Sequence, residues 1–152
     1  MLFRSYLSRA ILRPYLEVLR AHGITPARTH ADGSCPFCRG SPAVGCRRGA
    51  SESDGALRHL VCAHCGLEWR IDRIRCPACS EKDPARLPVF HDETRPTVRL
   101  ETCESCRHYV KSIDVSGDPE AVPEVDDLQS LALDLWAREA GYTRREPGLA
   151  GI

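Results

Sequence analysis

Eight of the nine cysteines fall into four C-x-x-C pairs, and the pairs come in two identical spacings. Cys35-Pro-Phe-Cys38 is followed, after 23 residues, by Cys62-Ala-His-Cys65. Cys76-Pro-Ala-Cys79 is followed, again after 23 residues, by Cys103-Glu-Ser-Cys106. Each cysteine of the first set recurs 41 positions later, and Pro36/Pro77 and Arg58/Arg99 keep the same offset. The pattern is an internal duplication. In C-x-x-C the backbone closes into a tight knuckle that aims two thiolates at one ion, and two knuckles complete a closed tetrahedral site. Cys35, Cys38, Cys62 and Cys65 are therefore the expected ligands of one metal ion, and Cys76, Cys79, Cys103 and Cys106 of a second. Thiolate sites of this geometry accept iron as well as zinc.

A duplicated unit is expected to hold its own ion, which favours sequential pairing over a crossed one in which the first knuckle joins the third. A redox dithiol would need C-x-x-C at the start of a helix. Arg39-Gly-Ser-Pro42 follows the first pair instead, and both Gly40 and Pro42 resist helix. Residues 43–47, 57–61, 67–71, 97–101 and 109–113 carry strand-like apolar or β-branched content. Each copy reads as a small β-ribbon clamped by metal. Alone, such a ribbon builds little core, so metal affinity supplies much of its folding.

The remaining residues of chemical interest fit no site. Cys46, on an expected strand, has no partner at knuckle spacing and reads as a buried small apolar side chain. His64 and His108 sit in or beside knuckles whose four thiolates already fill a tetrahedron, so both read as surface residues. His22, His30, His59 and His91 have no metal spacing. No Ser-His-Asp set, phosphate loop or acid pair stands out, and no enzyme is expected.

A length of 152 residues suits one domain or several very small ones. No run approaches the ~20 apolar residues of a membrane span. The N-terminus is apolar but interrupted by Arg9 and Arg13, with no small-residue cleavage site after it. Four arginines and one acid before Gly23 give it a faint likeness to a mitochondrial transit peptide. Without an export signal the cysteines are expected to stay reduced, which favours metal over disulfides. Charge balances at 21 basic and 21 acidic side chains but is graded: +6 over residues 1–49, −1 over 50–115 and −5 over 116–152. Such a gradient guides docking to a protein. It supports nucleic acid only weakly, because Arg47, Arg48, Arg58, Arg70, Arg73 and Arg75 are interleaved with Glu68 and Asp72.

Both ends read as helical. Phe3, Leu7, Ala10, Ile11, Tyr15, Val18 and Leu19 form one stripe, with Pro14 predicting a kink or a second start near Arg13 and Gly23 a stop. Val125, Leu128, Leu131, Ala132, Leu135 and Trp136 form a second stripe, closed by Gly141. Both stripes are expected to pack on the ribbons, the first leaving part of its face for a partner or for a homodimer. The expected architecture is small metal-bound β: two tandem rubredoxin-like or zinc-ribbon modules between terminal helices. The expected divisions are 1–30 (N-terminal helical segment), 31–73 (first ribbon), 74–115 (second ribbon) and 116–152 (linker and C-terminal helix).

Residues 34–142 resemble the formate dehydrogenase accessory protein family, the FdhE type. The likeness rests on Cys35-Pro-Phe-Cys38 with Ser41-Pro42, on Arg58-His-Leu-Val-Cys62-Ala-His-Cys65-Gly-Leu-Glu-Trp69, and on Arg73-Ile-Arg-Cys76-Pro-Ala-Cys79. It continues through Glu101-Thr-Cys103-Glu-Ser-Cys106, Tyr109-Val-Lys111, the segment 126–134 and Glu139-Ala-Gly-Tyr142. Leu12-Arg-Pro-Tyr-Leu-Glu17 is similar to the last helix before that family's metal modules. The resemblance implies a cytoplasmic assembly factor that binds the catalytic subunit of formate dehydrogenase, with iron-binding cysteines at the eight knuckle positions. Two departures stand out. Family members are about twice this long, with a helical N-terminal domain of which this sequence carries the final helix, as a truncated gene, a fragment or a specialised short form would. The glycine usual after the first and third knuckles is replaced by Arg39 and Ser80, which predicts looser knuckles there with Gly40 compensating in part. Two other functions fit the residues: a zinc-ribbon module for nucleic acid or protein, and a rubredoxin-like electron carrier.

Overall fold

The computed structural model describes residues 2–24, 33–49, 57–116, 120–148 and 150–151; His30, the side chain of Phe3 and linker positions 117–119 lie outside them. Helix α1 (Leu2–Ala21) leads to β1 (Pro42–Arg48), β2 (Leu57–Cys62) and β3 (Glu68–Arg70), then β4 (Val89–Asp92), β5 (Arg95–Thr102) and β6 (His108–Asp114). Helices α2 (Pro123–Gln129) and α3 (Leu131–Glu139) and the short β7 (Thr143–Arg144) follow. The architecture is mostly β sheet with two four-cysteine clusters between terminal helices.

The duplication is written into the sheet. Its order is β3-β2-β1-β6-β5-β4, with β7 added beside β6. Each repeat is thus a three-stranded antiparallel meander, β1–β3 or β4–β6. The two lie side by side through a parallel joint in which Gly45 pairs Ser112 and Cys46 pairs Ile113. Spacing alone indicated two hairpins; it did not indicate the third strand of the second copy, because Pro88, His91 and Asp92 dilute the strand signal of β4.

Side chains alternate across the sheet. One face carries Val44, Cys46, Val98, Leu100, Tyr109 and Ile113, which join Leu133, Ala137 and Tyr142 in the main core. The other face carries Arg47, Arg58, Arg99 and Glu101. Cys46 is fully buried in the core, where burial and the neighbouring Glu68 push its thiol up to about 12.

The terminal helices depart from the sequence pattern. Helix α1 runs through Pro14 without a break. Ala10, whose carbonyl loses its partner to the proline ring, is exposed, where solvent can satisfy it. Gly23 ends the turn at φ +72°. Among the described side chains little of the helix is covered: Ile11 is 63% and Tyr15 69% exposed, and Leu16 packs inward.

The C-terminal stripe is inverted. Val125, Leu128, Leu135 and Trp136 are exposed, while Asp127, Ser130 and Asp134 are buried. The cause is Lys111 of β6, a fully buried side chain. Its Nζ lies 2.6 Å from Asp134 Oδ2 and 2.9 Å from Asp127 Oδ1, and donates to the Asp127 carbonyl at 2.6 Å. An unbroken helix would give that carbonyl to the amide of Leu131; Lys111 takes it, and the segment splits at Ser130. Arg144 completes the network, 2.8 Å from Asp127 and 3.3 Å from Asp134, and Tyr109 donates to Asp134 at 2.7 Å. Burial and that bond raise the Tyr109 pKa. Two cations and two carboxylates thus anchor α2 and α3 to β6, β7 and, through the Arg144 bond to the Ala43 carbonyl, β1.

Candidate metal centres

Four knuckles share one backbone design. In each, the first cysteine's N–H donates to the carbonyl five residues on: Cys35 to Gly40, Cys62 to Leu67, Cys76 to Glu81 and Cys103 to His108. The residue after each second cysteine donates back to the first cysteine's carbonyl, at 2.8–3.1 Å. That residue is left-handed every time: Arg39 at φ 62°, Gly66 at 65°, Ser80 at 66° and Arg107 at 58°. Arg39 and Ser80 both adopt the conformation a glycine would, at a cost of ~1–2 kcal/mol each. Gly40 does not compensate through its φ. It is needed for space, since a Cβ there would sit 2.7 Å from His64 Nδ1 and 3.0 Å from Cys62 Sγ. Arg107 was overlooked as a third such position because a fixed offset from Cys106, not residue type, marks it.

These turns bring the expected residues together in sequential pairs. Cys35, Cys38, Cys62 and Cys65 form one group with every Sγ within 4.8 Å of the others, and Cys76, Cys79, Cys103 and Cys106 form the second. The hydrogen-bonded sulfur pairs lie 3.4–3.6 Å apart in the first group and 3.6–3.7 Å in the second. A disulfide would need about 2.05 Å. A tetrahedron of sulfurs about 2.3 Å from a central ion has edges of about 3.8 Å, so both groups fit a metal site of four thiolates. Backbone amides of Gly40, His64 and Ala78 point at sulfur, at 3.3–3.4 Å, which favours thiolate.

The sulfurs are too close to ionise together without a cation. Hydrogen bonds from Cys62 and Cys65 hold Cys35 at about 2, while its own bond to Cys35 drives Cys62 far upward. One thiolate thus forms at the expense of its neighbours. A divalent ion removes that conflict, and the donor set is one for zinc or iron.

The two groups differ in their surroundings. Leu16 of α1, Phe37, Leu67 and Trp69 pack over the first, and the Arg20 guanidinium reaches the Cys65 carbonyl at 3.5 Å. At the second, Cys79 is exposed and Cys106 half-buried. His64 and His108 are half-buried rather than surface residues, and neither belongs to a metal-ligating group among the described residues. His108 Nδ1 sits 2.9 Å from the Cys106 carbonyl. Of the arginines considered for nucleic acid, Arg48 is clamped by Glu68 at 2.8 Å and Arg58 by Glu101 at 2.6 Å. No helix among the described residues is long and apolar enough to cross a membrane.

Sequence reasoning passed over the Lys111 network, although Tyr109, Lys111 and the segment 126–134 carry part of the family resemblance. A signal was present: Asp127, Ser130 and Asp134 recur at helical spacing on one face, in a chain with only two lysines.

Known proteins are similar to this chain in sequence and fold. A family model described as FdhE, C-terminal domain, matches residues 74–150. A Pseudomonas aeruginosa protein named Protein FdhE homolog is 41% identical over 119 residues, which is 76% of this chain and 38% of that protein. A protein of the same name from Aquifex aeolicus is 33% identical over 117 residues, covering 77% of this chain and 41% of its own. The crystal structure of the FdhE protein from Pseudomonas aeruginosa superposes with a TM-score of 0.77 at 33% identity, over 93% of this chain and 48% of that one. The chain spans about two fifths of the length of these curated relatives.

Proposed function

The chain belongs to the FdhE family, and from that membership we propose that it is a metal-dependent, non-enzymatic accessory factor that binds the catalytic subunit of formate dehydrogenase during its maturation. The observation that carries the reading is the pair of preformed four-cysteine groups in a chain that superposes along 93% of its length on an FdhE protein. Residues 31–73 and 74–115 act as two metal ribbons, flanked by 1–30 and 116–152. Cys35, Cys38, Cys62 and Cys65 hold one ion, and Cys76, Cys79, Cys103 and Cys106 the other. Bound metal supplies a fixed cross-link between knuckles, and with iron a one-electron couple. The thiolates need a reducing compartment, which supports action in the cytoplasm.

The direct test is co-elution of this chain with the apo catalytic subunit in size-exclusion chromatography. A one-to-one complex that is lost in Cys35→Ser/Cys76→Ser supports the reading; a metal-replete chain that never shifts the subunit's elution contradicts it. The exposed Cys79 favours one second reading, electron transfer at the second site. Two irons with a visible spectrum that bleaches on reduction would support it, and two colourless zincs would remove it. Self-association through α1 is a further part of the proposal, supported by the exposed run of Ile11, Tyr15 and Val18. Sedimentation showing a dimer that Ile11→Asp/Tyr15→Asp converts to monomer supports it; a monomeric parent chain rejects it.

A further inference from the structure

The sheet face opposite the helices forms a cleft of about 530 Å³ where the two repeats meet. That volume falls in the ~300–1,000 Å³ range of ligand sites. Around the cleft stand seven arginines and one carboxylate, Glu101. Three of the arginines are committed: Arg58 to Glu101, Arg144 to Asp127 and Asp134, and Arg75 to Asp72 at 3.7 Å. Arg47, Arg73, Arg99 and Arg145 have no ion pair among the described residues, and Arg145 is held over the cleft by its bond to the Pro77 carbonyl. The chain as a whole is neutral, so four unmatched guanidiniums around one cleft are a concentration of charge. The second metal site borders it through Cys76 and Cys103. A divalent ion on four thiolates leaves a net charge of about −2, which halves the surplus but keeps its sign.

The rim is apolar as well as basic. Ile74 and Val89 are exposed there, with Leu87 half-buried beside them. A track for single-stranded nucleic acid needs exposed aromatic rings for base stacking. Among the described residues of the lining, the only aromatic ring besides His108 is Tyr109, which is buried in the sheet. Guanidinium forks beside aliphatic side chains instead match carboxylates alternating with apolar groups.

We propose that this cleft binds an acidic, partly apolar peptide segment of a partner protein, with Arg47, Arg73, Arg99 and Arg145 taking its carboxylates. The proposal deepens the accessory-factor reading by naming the surface that receives the client, and rests on that reading only for the client's identity. The probe is a fluorescein-labelled octapeptide of alternating acidic and apolar residues (Glu-Leu-Asp-Phe, twice), with its Gln/Asn counterpart and an eight-nucleotide oligo-dT as controls. Anisotropy titrations use the full metal-loaded chain and its Arg73→Gln/Arg99→Gln variant, both checked for two metals and an unchanged melting temperature. The acidic peptide should bind, weaken with added salt, and lose at least ~tenfold in affinity in the variant. Equal binding of the neutral peptide, tighter binding of oligo-dT, an unaffected variant, or loss of metal from the variant would each overturn the proposal. The client reading fails separately: peptide binding without capture of the formate dehydrogenase subunit leaves the cleft standing. Capture of that subunit equally by parent and variant does the reverse.

Discussion

The two four-cysteine groups are copies in sequence and in backbone, yet they sit in different proteins, in effect. The first is buried beneath α1, and its hydrophobic cluster is built around Cys35, Cys62 and Cys65 themselves. The second is open at Cys79, but its strands β5 and β6 also supply Val98, Leu100, Tyr109 and Ile113 to the main core and bear the Lys111 network. A duplicated metal knuckle therefore does not imply a duplicated energetic role. The first repeat lends Val44, Cys46 and Val61 to the main core, but its β2–β3 end is held by the small cluster around the cysteines; in the second the ion is added to a larger share of the core.

Removing metal should separate the two most. Structural zinc in small domains supplies ~10 kcal/mol or more of apparent folding energy. Under chelation, hydrogen exchange should show amides of β2 and β3 losing protection first, while those of β5 and β6 keep theirs. Simultaneous loss in both repeats would erase the contrast. Next in size is Lys111→Met, which leaves Asp127 and Asp134 with Arg144 as the cation of the network and the Tyr109 hydroxyl on Asp134. Breaking a buried pair costs ~3–5 kcal/mol, read as a lower urea midpoint with both metals retained. A smaller cost would mean that the second core does not depend on the network.

Smaller still is Ser80→Gly, which relieves a left-handed residue at φ 66° and should stabilise the metal-bound chain by ~1 kcal/mol. The matching change Arg39→Gly should do the same at the first site, and a difference between them would expose strain that the backbone does not. The smallest effect concerns Cys46. With its thiol pushed to about 12 by burial, it should stay unalkylated by iodoacetamide at about pH 8, well below that pKa, in the metal-bound chain, as judged by peptide mass. Labelling there would place a local opening in β1, the strand that joins the repeats.

What the sequence made legible was whatever depends on local spacing. Cysteine offsets gave both clusters and their pairing, and apolar alternation gave β1, β2, β3, β5 and β6 to within a few residues. It failed where a distant charge decides. Val125, Leu128 and Leu135 look like a core stripe until Lys111, contributed by a strand 16 residues before Asp127, draws the carboxylates inward instead. Pro14 left two outcomes open, a kink or a second start, and the continuous helix removes the second. The proline penalty depends on whether the freed carbonyl meets water, and that is a property of the folded surface.

The central claim is that each repeat holds its own ion. Metal content by mass spectrometry, on chain purified without added metal or chelator, tests it with Cys62→Ser and Cys103→Ser alongside the parent. Two ions in the parent and one in each variant are predicted. Loss of both ions in either variant would mean a shared or crossed site and would contradict the account.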